Sequence, residues 1–233
     1  MIKVNMRIFT IDRGNSNTTI LKWLGDQFEP VTSISDFNVP AIASNVSSNP
    51  FESKILEFNQ LDQIKKLLPF EVEYTNTIGV DRLFCAVSAS LIKRPEQNAL
   101  IIDAGTFTTV DVLLGKKFKG GMILPGDEAL KKCYTNGANL FTSDLKKDQT
   151  ITYPFQSTND CITNSLPFLF ESTYEKIIRE FSIDHIFLTG GNQKSHSDFL
   201  SRNKHMVKIH PYLIHYGIKY IFNKYQHQSR GRQ

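Results

Sequence analysis

The stretch Leu100–Leu114 reads LIIDAGTFTTVDVLL. An apolar run, Leu100-Ile101-Ile102, delivers Asp103, and Gly105 then lets the backbone turn tightly or approach a ligand closely. The residues that follow are rich in β-branched side chains: Thr106, Thr108, Thr109, Val110 and Val112. That composition suits a strand better than a helix. The stretch reads as strand, Asp-x-Gly turn, strand, with a carboxylate and several hydroxyls at the turn.

The same device occurs earlier, in Ile8–Trp23, IFTIDRGNSNTTILKW. A slide of 91 residues lays Asp12 on Asp103, Gly14 on Gly105, Thr18 on Thr109, Ile11 on Ile102 and Leu21 on Val112. One Asp-x-Gly carries almost no information. Two copies with matching flanks point to a duplicated half, each half holding one carboxylate-bearing turn. Two such turns across a cleft could hold a polyphosphate and its cation, because tight Gly turns form anion nests and carboxylates recruit cations. Two ordinary hairpins with Asp-Gly turns would give the same pattern.

The 233 residues allow one large or two small domains, and 40% hydrophobic with 21% charged residues describes an ordinary soluble globular protein. The net charge of +4 is modest, and part of it sits in a polar tail, Lys224–Gln233, expected to fray. No apolar run approaches the ~18 residues of a membrane span, and the N-terminus lacks a signal-peptide layout. Cys85, Cys133 and Cys161 are odd in number and far apart, which fits a reducing cytoplasm and offers no zinc spacing.

Pro40–Val46 reads as a short strand. Phe51–Leu68 carries Ile55, Phe58, Leu61, Ile64, Leu67 and Leu68 at helical spacing, and Pro69 ends it. Glu71–Thr77 is expected extended. Ile78-Gly79-Val80-Asp81-Arg82 precedes a helix with Leu83, Val87 and Leu91 on one face. Further helices are expected at Asp127–Tyr134, Thr158–Ser165 (stopped by Pro167), Phe168–Phe181, Ser195–Leu200 and Pro211–Tyr225. A strand is expected at His185–Leu188, running into Thr189-Gly190-Gly191-Asn192. Lys146–Ser157 reads as a polar surface excursion. The halves should meet near Asn98, dividing the chain into residues 1–98 and 99–233.

With these stretches laid out, the chain resembles the type III pantothenate kinases of the actin/hexokinase/Hsp70 superfamily. The matching pieces are IDRGNSNT, IGVDR, IIDAGTFTTVD, GGMILPG, LTGGN and PYLIHYGI, in the family's order and spanning nearly the whole chain. Any one is weak; the ordered set is specific. The chain departs from the pattern at Arg13, Ser16 and Ser165, in a short Gly25–Thr77 segment, in the spacing of Tyr74 from Gly79, and at Gly137–Phe141.

The resemblance implies an α/β fold of two ribonuclease-H-like halves with a cleft between them. It implies ATP-dependent phosphorylation of pantothenate, the first step towards coenzyme A. Asp12, Arg13, Gly14, Asn15, Ser16, Asn17, Thr18 and Thr19 would cradle ATP, with Asp12 near Mg²⁺ and Thr106 a further ATP contact. Asp103 would hold a monovalent cation, K⁺ or NH₄⁺. Asp81 would be the general base, within a substrate-binding group of Gly79, Val80, Asp81, Arg82, Thr158 and Tyr74. The resemblance also implies a homodimer; the cysteines point to the cytoplasm, the lack of a long apolar run to no membrane partner, and the composition of the tail to no nucleic-acid partner. From the residues alone, Asn15, Ser16 and Asn17 could be turn-bonding side chains, Asp81 a first-turn helix carboxylate, and Thr158 a helix N-cap. The alternative functions are a kinase of another small alcohol, which the Gly79–Arg82 motif disfavours, and a non-catalytic regulator on the same fold.

Overall fold

The computed structural model describes residues 7–14, 17–34, 36, 38–47, 50–51, 55–138, 153–202 and 206–230. Up to residue 94 the elements are β1 (Arg7–Arg13), β2 (Thr18–Leu24), β3 (Gln27–Val31), β4 (Ala41–Asn45), β5 (Ile55–Phe58), α1 (Leu61–Ile64), β6 (Glu71–Val72) and α2 (Val80–Ile92). Then come β7 (Asn98–Ala104), β8 (Phe107–Leu114), β9 (Lys117–Pro125), α3 (Asp127–Ala138), α4 (Thr158–Phe181), β10 (His185–Thr189), α5 (Gln193–Arg202), β11 (Val207–Ile209) and α6 (Leu213–Arg230).

The chain forms two compact units. The first comprises residues 1–94, 116–119 and 212–233, and the second residues 95–115 and 120–211. A single cut at 98/99 therefore does not describe the division, because α6 returns to the first unit. The reason lies in its packing. Leu213, Ile214, Gly217, Ile218, Ile221 and Phe222 are buried, and Ser88 of α2 donates to the Leu213 carbonyl at 2.5 Å. Gly217 brings the two helix backbones so close that a methyl group there would lie 2.7 Å from the Phe84 carbonyl carbon.

In the first unit the sheet order is β3-β2-β1-β4-β5. β2 runs antiparallel to β1, and β4 and β5 run parallel to it. Alternation puts Ile8, Thr10 and Asp12 on one face of β1 and Phe9, Ile11 and Arg13 on the other. Phe9 and Ile11 pack with Ala41 and Ala43 in a small core capped by Val31, Ile34, Val39 and Phe51. On the Thr10 side the sheet meets α6, and α2 packs on β4.

In the second unit the order is β11-β10-β7-β8-β9, the same sequence of positions as in the first. β6 extends this sheet by pairing with Lys117 and Phe118, the opening residues of β9 that cluster with the first unit. Leu100, Ile102, Val110 and Val112 meet Leu166, Phe170, Tyr174 and Ile177 of α4 in the main core. This repetition is the duplication expected from the two Asp-x-Gly hairpins, in the ribonuclease-H-like plan that the family resemblance implied. Strands, not helices, follow both turns.

Several local expectations are corrected. Phe51–Leu68 is not one helix: Ile55–Phe58 is a strand parallel to β4, and helix begins only at Leu61. Spacing of three serves both, because Ile55 and Phe58 are also held by the sheet. Of Glu71–Thr77 only Glu71–Val72 pairs as a strand. Pro167 does not separate two helices. α4 runs through it, since burial of Leu166, Phe170, Tyr174 and Ile177 outweighs the hydrogen bond that the proline cannot donate. The expected frayed tail is helical to Arg230. β3 and β11 were not anticipated. The surface excursion expected at Lys146–Ser157 lies largely outside the described residues, as do Asn139–Phe141 of the partial family match.

Candidate active site

The first hairpin places Asp12 opposite Thr19, and the second places Asp103 opposite Thr109. The turn in the first unit is one residue longer, so the fixed slide of 91 holds only up to the glycine. Thr19, rather than Thr18, is the structural counterpart of Thr109. Asp12 is part-buried, while Asn17, Thr18 and Thr19 are exposed. Asn15 and Ser16 lie outside the described residues. The Gly14 amide donates to the Asn17 carbonyl at 3.0 Å, so it closes the turn and is not free for a phosphate oxygen, contrary to the expectation for a Gly nest. Arg13 sits on the opposite face from Asp12, its guanidinium 3.6 Å from the centre of the Phe51 ring. The hairpin thus brings Asp12 and Thr19 together and sends Arg13 elsewhere.

β4 contributes a residue that sequence reading did not single out. Ser44 is the Cα partner of Asp12, fully buried, and its hydroxyl has no hydrogen-bond partner among the described residues. Buried hydroxyls are seldom left unmatched. Ser44 is level with Asp12 on the neighbouring strand, and an orphaned oxygen at that strand end is a hard donor of the kind a cation with its coordinated groups takes. Among the described residues no group of three His, Cys, Asp or Glu side chains could hold a metal by itself, so such a cation would rely on Asp12 and on its own phosphate and water ligands.

At the start of α2, Gly79 is the N-cap in extended backbone and Asp81 lies in the first turn. The Asp81 carboxylate accepts from the Arg82 amide at 2.9 Å. A side chain at Gly79 would overlap Asp81 Oδ1, the end of a flexible side chain, so the glycine leaves room for this particular pose of the carboxylate. Burial raises the Asp81 pKa above the ordinary range, against the opposing pull of the Arg82 amide and charge. Arg82 is buried, and its guanidinium lies 5.3 Å from the centre of the half-exposed Tyr74 ring. The structure therefore groups Gly79, Val80, Asp81, Arg82 and Tyr74.

In the second unit, Asp103 is part-buried and Thr106 is exposed at the turn. The β9–α3 junction lies flush on that turn: Gly126 donates to the Thr106 carbonyl at 3.0 Å. Thr158 is exposed and opens α4, but it is not the N-cap. Ser157 holds that place and accepts from the Asp160 amide at 3.0 Å. Cys85 is buried, Cys133 and Cys161 are exposed, and all three are free. No helix among the described residues is long and apolar enough to cross a membrane.

Two sheets of one order, each with a carboxylate at the end of its first strand, define the duplicated ribonuclease-H-like class that includes actin, hexokinase and Hsp70. Within that class, the chain matches the family described as type III pantothenate kinase over residues 39–180. It belongs to that family. Relatives named type III pantothenate kinase include those of Colwellia psychrerythraea, 26% identical over 81% of this chain and 86% of that protein, and of Aquifex aeolicus, 25% identical over 94% and 99%. Among solved structures, a conserved Baf family protein from Campylobacter jejuni superposes with a TM-score of 0.63 at 21% identity, covering 94% of this chain and 99% of that one. At that identity the likeness speaks for the fold.

Proposed function

We propose that this protein is a pantothenate kinase, transferring the γ-phosphoryl group of ATP to the primary hydroxyl of pantothenate. The observation that carries the reading is the Gly79–Arg82 helix start, where a carboxylate with a raised pKa sits beside a buried guanidinium in a chain of this family. The hydroxyl oxygen bonds to the γ-phosphorus, the bond to the bridging oxygen of ADP breaks, and the hydroxyl proton passes to Asp81. A raised pKa brings Asp81 closer to the acceptor strength that this transfer needs. Arg82 supplies charge for the substrate carboxylate or a phosphate oxygen, steadied by Tyr74.

Asp12, with Thr19 opposite and Ser44 alongside, is assigned to the Mg²⁺ that accompanies ATP; the ion would supply charge neutralisation at the phosphates. Asn17 and Thr18 complete the exposed arm of that turn. In the second unit Asp103 is assigned to a monovalent cation, Thr106 to ATP and Thr158 to pantothenate. The protein is further proposed to act in the cytoplasm as a homodimer. A coupled ADP-release assay across pantothenate and common hexoses, with Mg²⁺ and K⁺ present, tests the assignment. Turnover confined to pantothenate supports it; turnover of a hexose instead moves the protein to another kinase class.

A further inference from the structure

A buried histidine ties the two arms of the first turn together from the far end of the chain. His215 lies in the first turn of α6 and is 1% exposed. Its Nδ1 is 2.9 Å from Thr10 Oγ1 and its Nε2 is 2.8 Å from Thr19 Oγ1. Thr10 Oγ1 in turn accepts from the Trp23 indole N–H at 2.8 Å. Thr10 is on β1, two residues before Asp12 and on the same face. Thr19 is the β2 residue directly opposite Asp12. One imidazole therefore bridges both strands at the level of the carboxylate assigned to the cation.

We propose that His215 is a positioning residue for the nucleotide turn, fixing the Thr19 hydroxyl and the β2 arm relative to Asp12. The proposal rests on the kinase reading above. Any buried imidazole needs partners on both nitrogens; what distinguishes this one is that both partners are hydroxyls of the Asp12 hairpin, one on each strand. In either tautomer one nitrogen donates and the other accepts, so the orientations of the two threonine hydroxyls are set together. Thr19 is otherwise exposed, and a residue on an exposed turn keeps one geometry only if something behind it holds it. Burial lowers the ring's pKa to about 3, so the tether stays neutral and adds no positive charge beside Asp12, where a cation would sit.

The test compares steady-state kinetics of wild type, His215→Leu and His215→Gln with Lys219→Met. The last removes a different α6 contact to the same sheet, the 2.6 Å bond from Lys219 to the Gly25 carbonyl in the β2–β3 turn. Loss of one buried hydrogen-bond partner corresponds to roughly a tenfold effect. The KM for ATP should rise about tenfold in His215→Leu and less in His215→Gln, with kcat lowered and the KM for pantothenate little changed. Lys219→Met should leave all three constants unchanged. A His215 variant with reduced melting temperature but wild-type constants overturns the proposal. Should His215→Leu fail to fold, His215→Gln decides by the same readout. If wild type does not phosphorylate pantothenate, the functional reading fails separately. ATP titration followed by the fluorescence of Trp23, the single tryptophan, then decides: weaker binding in His215→Gln upholds the tether. Equal binding, or none in wild type, overturns it.

Discussion

Replacing Gly217 by alanine tests whether the return of α6 is what sets the position of α2, and with it Asp81. A methyl group at 217 would lie 2.7 Å from the Phe84 carbonyl carbon and 2.9 Å from its Cα. Unstrained carbon contacts fall near 3.5–4.0 Å, so the helices must part by about 1 Å. The obstacle is main chain in the middle of a helix, so no rotamer change relieves it. Overpacking of this kind costs about 1–3 kcal/mol. For a chain of this length each kcal/mol lowers Tm by roughly 2–4 °C, giving an expected drop of about 2–12 °C. Differential scanning fluorimetry reads the shift. Gly137→Ala is the control: Gly137 is in α3 and an added methyl there meets nothing within 4 Å. It should leave Tm unchanged or raise it slightly. If Gly217→Ala melted within about 1 °C of wild type, the close α2–α6 approach would not be holding the unit together.

Gly79→Ala should behave in the opposite way. The added methyl meets the end of the flexible Asp81 side chain, so Tm should barely move, while a misplacement of about 1 Å at the carboxylate can cost on the order of 10² in kcat/KM. A variant with near-normal kcat/KM would show that the observed Asp81 pose is not the working one. Asp81→Asn should lower turnover about 10²–10⁴-fold while ATP affinity changes little. The raised Asp81 pKa also fixes a sign. The folded state binds this proton more tightly than the unfolded chain, so the group lowers stability as pH rises through the window above its ordinary pKa, and the loss is recovered on acidification. In the pH profile of kcat/KM the acid limb should accordingly lie above the ordinary aspartate range, about 3.9, and vanish in Asp81→Asn. A limb at the ordinary position would remove burial as the tuning device.

The parts of this architecture that were legible in the sequence are those encoded locally. The two Asp-x-Gly hairpins, the helix opening at Val80 and the strand before Gly190 each announce themselves within about ten residues by alternation, periodicity or a turn signal. β3 escaped because Pro30 and the exposed Glu29 make it read as loop, although an edge strand accepts a proline. Ile55–Phe58 was read as helix because its apolar spacing does not distinguish a strand running into a short helix from one long helix. The misread of Pro167 has the same origin: the packing that keeps α4 continuous is supplied by β7, β8 and β10, not by its neighbours in sequence. At the site, Asp12 and Asp103 were marked by their turns, and Asp81 by the resemblance of Gly79–Arg82 to the family motif. Their supports were not, because Ser44 reaches Asp12 by strand pairing and His215 reaches Thr10 and Thr19 across 205 and 196 residues.

The central claim is phosphoryl transfer to the hydroxyl of pantothenate with Asp81 as base, and ³¹P NMR of the reaction mixture tests it most directly. With ATP, Mg²⁺, K⁺ and pantothenate, wild type should produce a phosphomonoester resonance that grows in step with ADP, and Asp81→Asn should produce it at least about 10²-fold more slowly. ADP accompanied only by inorganic phosphate, or a phosphomonoester formed at the wild-type rate by Asp81→Asn, would contradict the account.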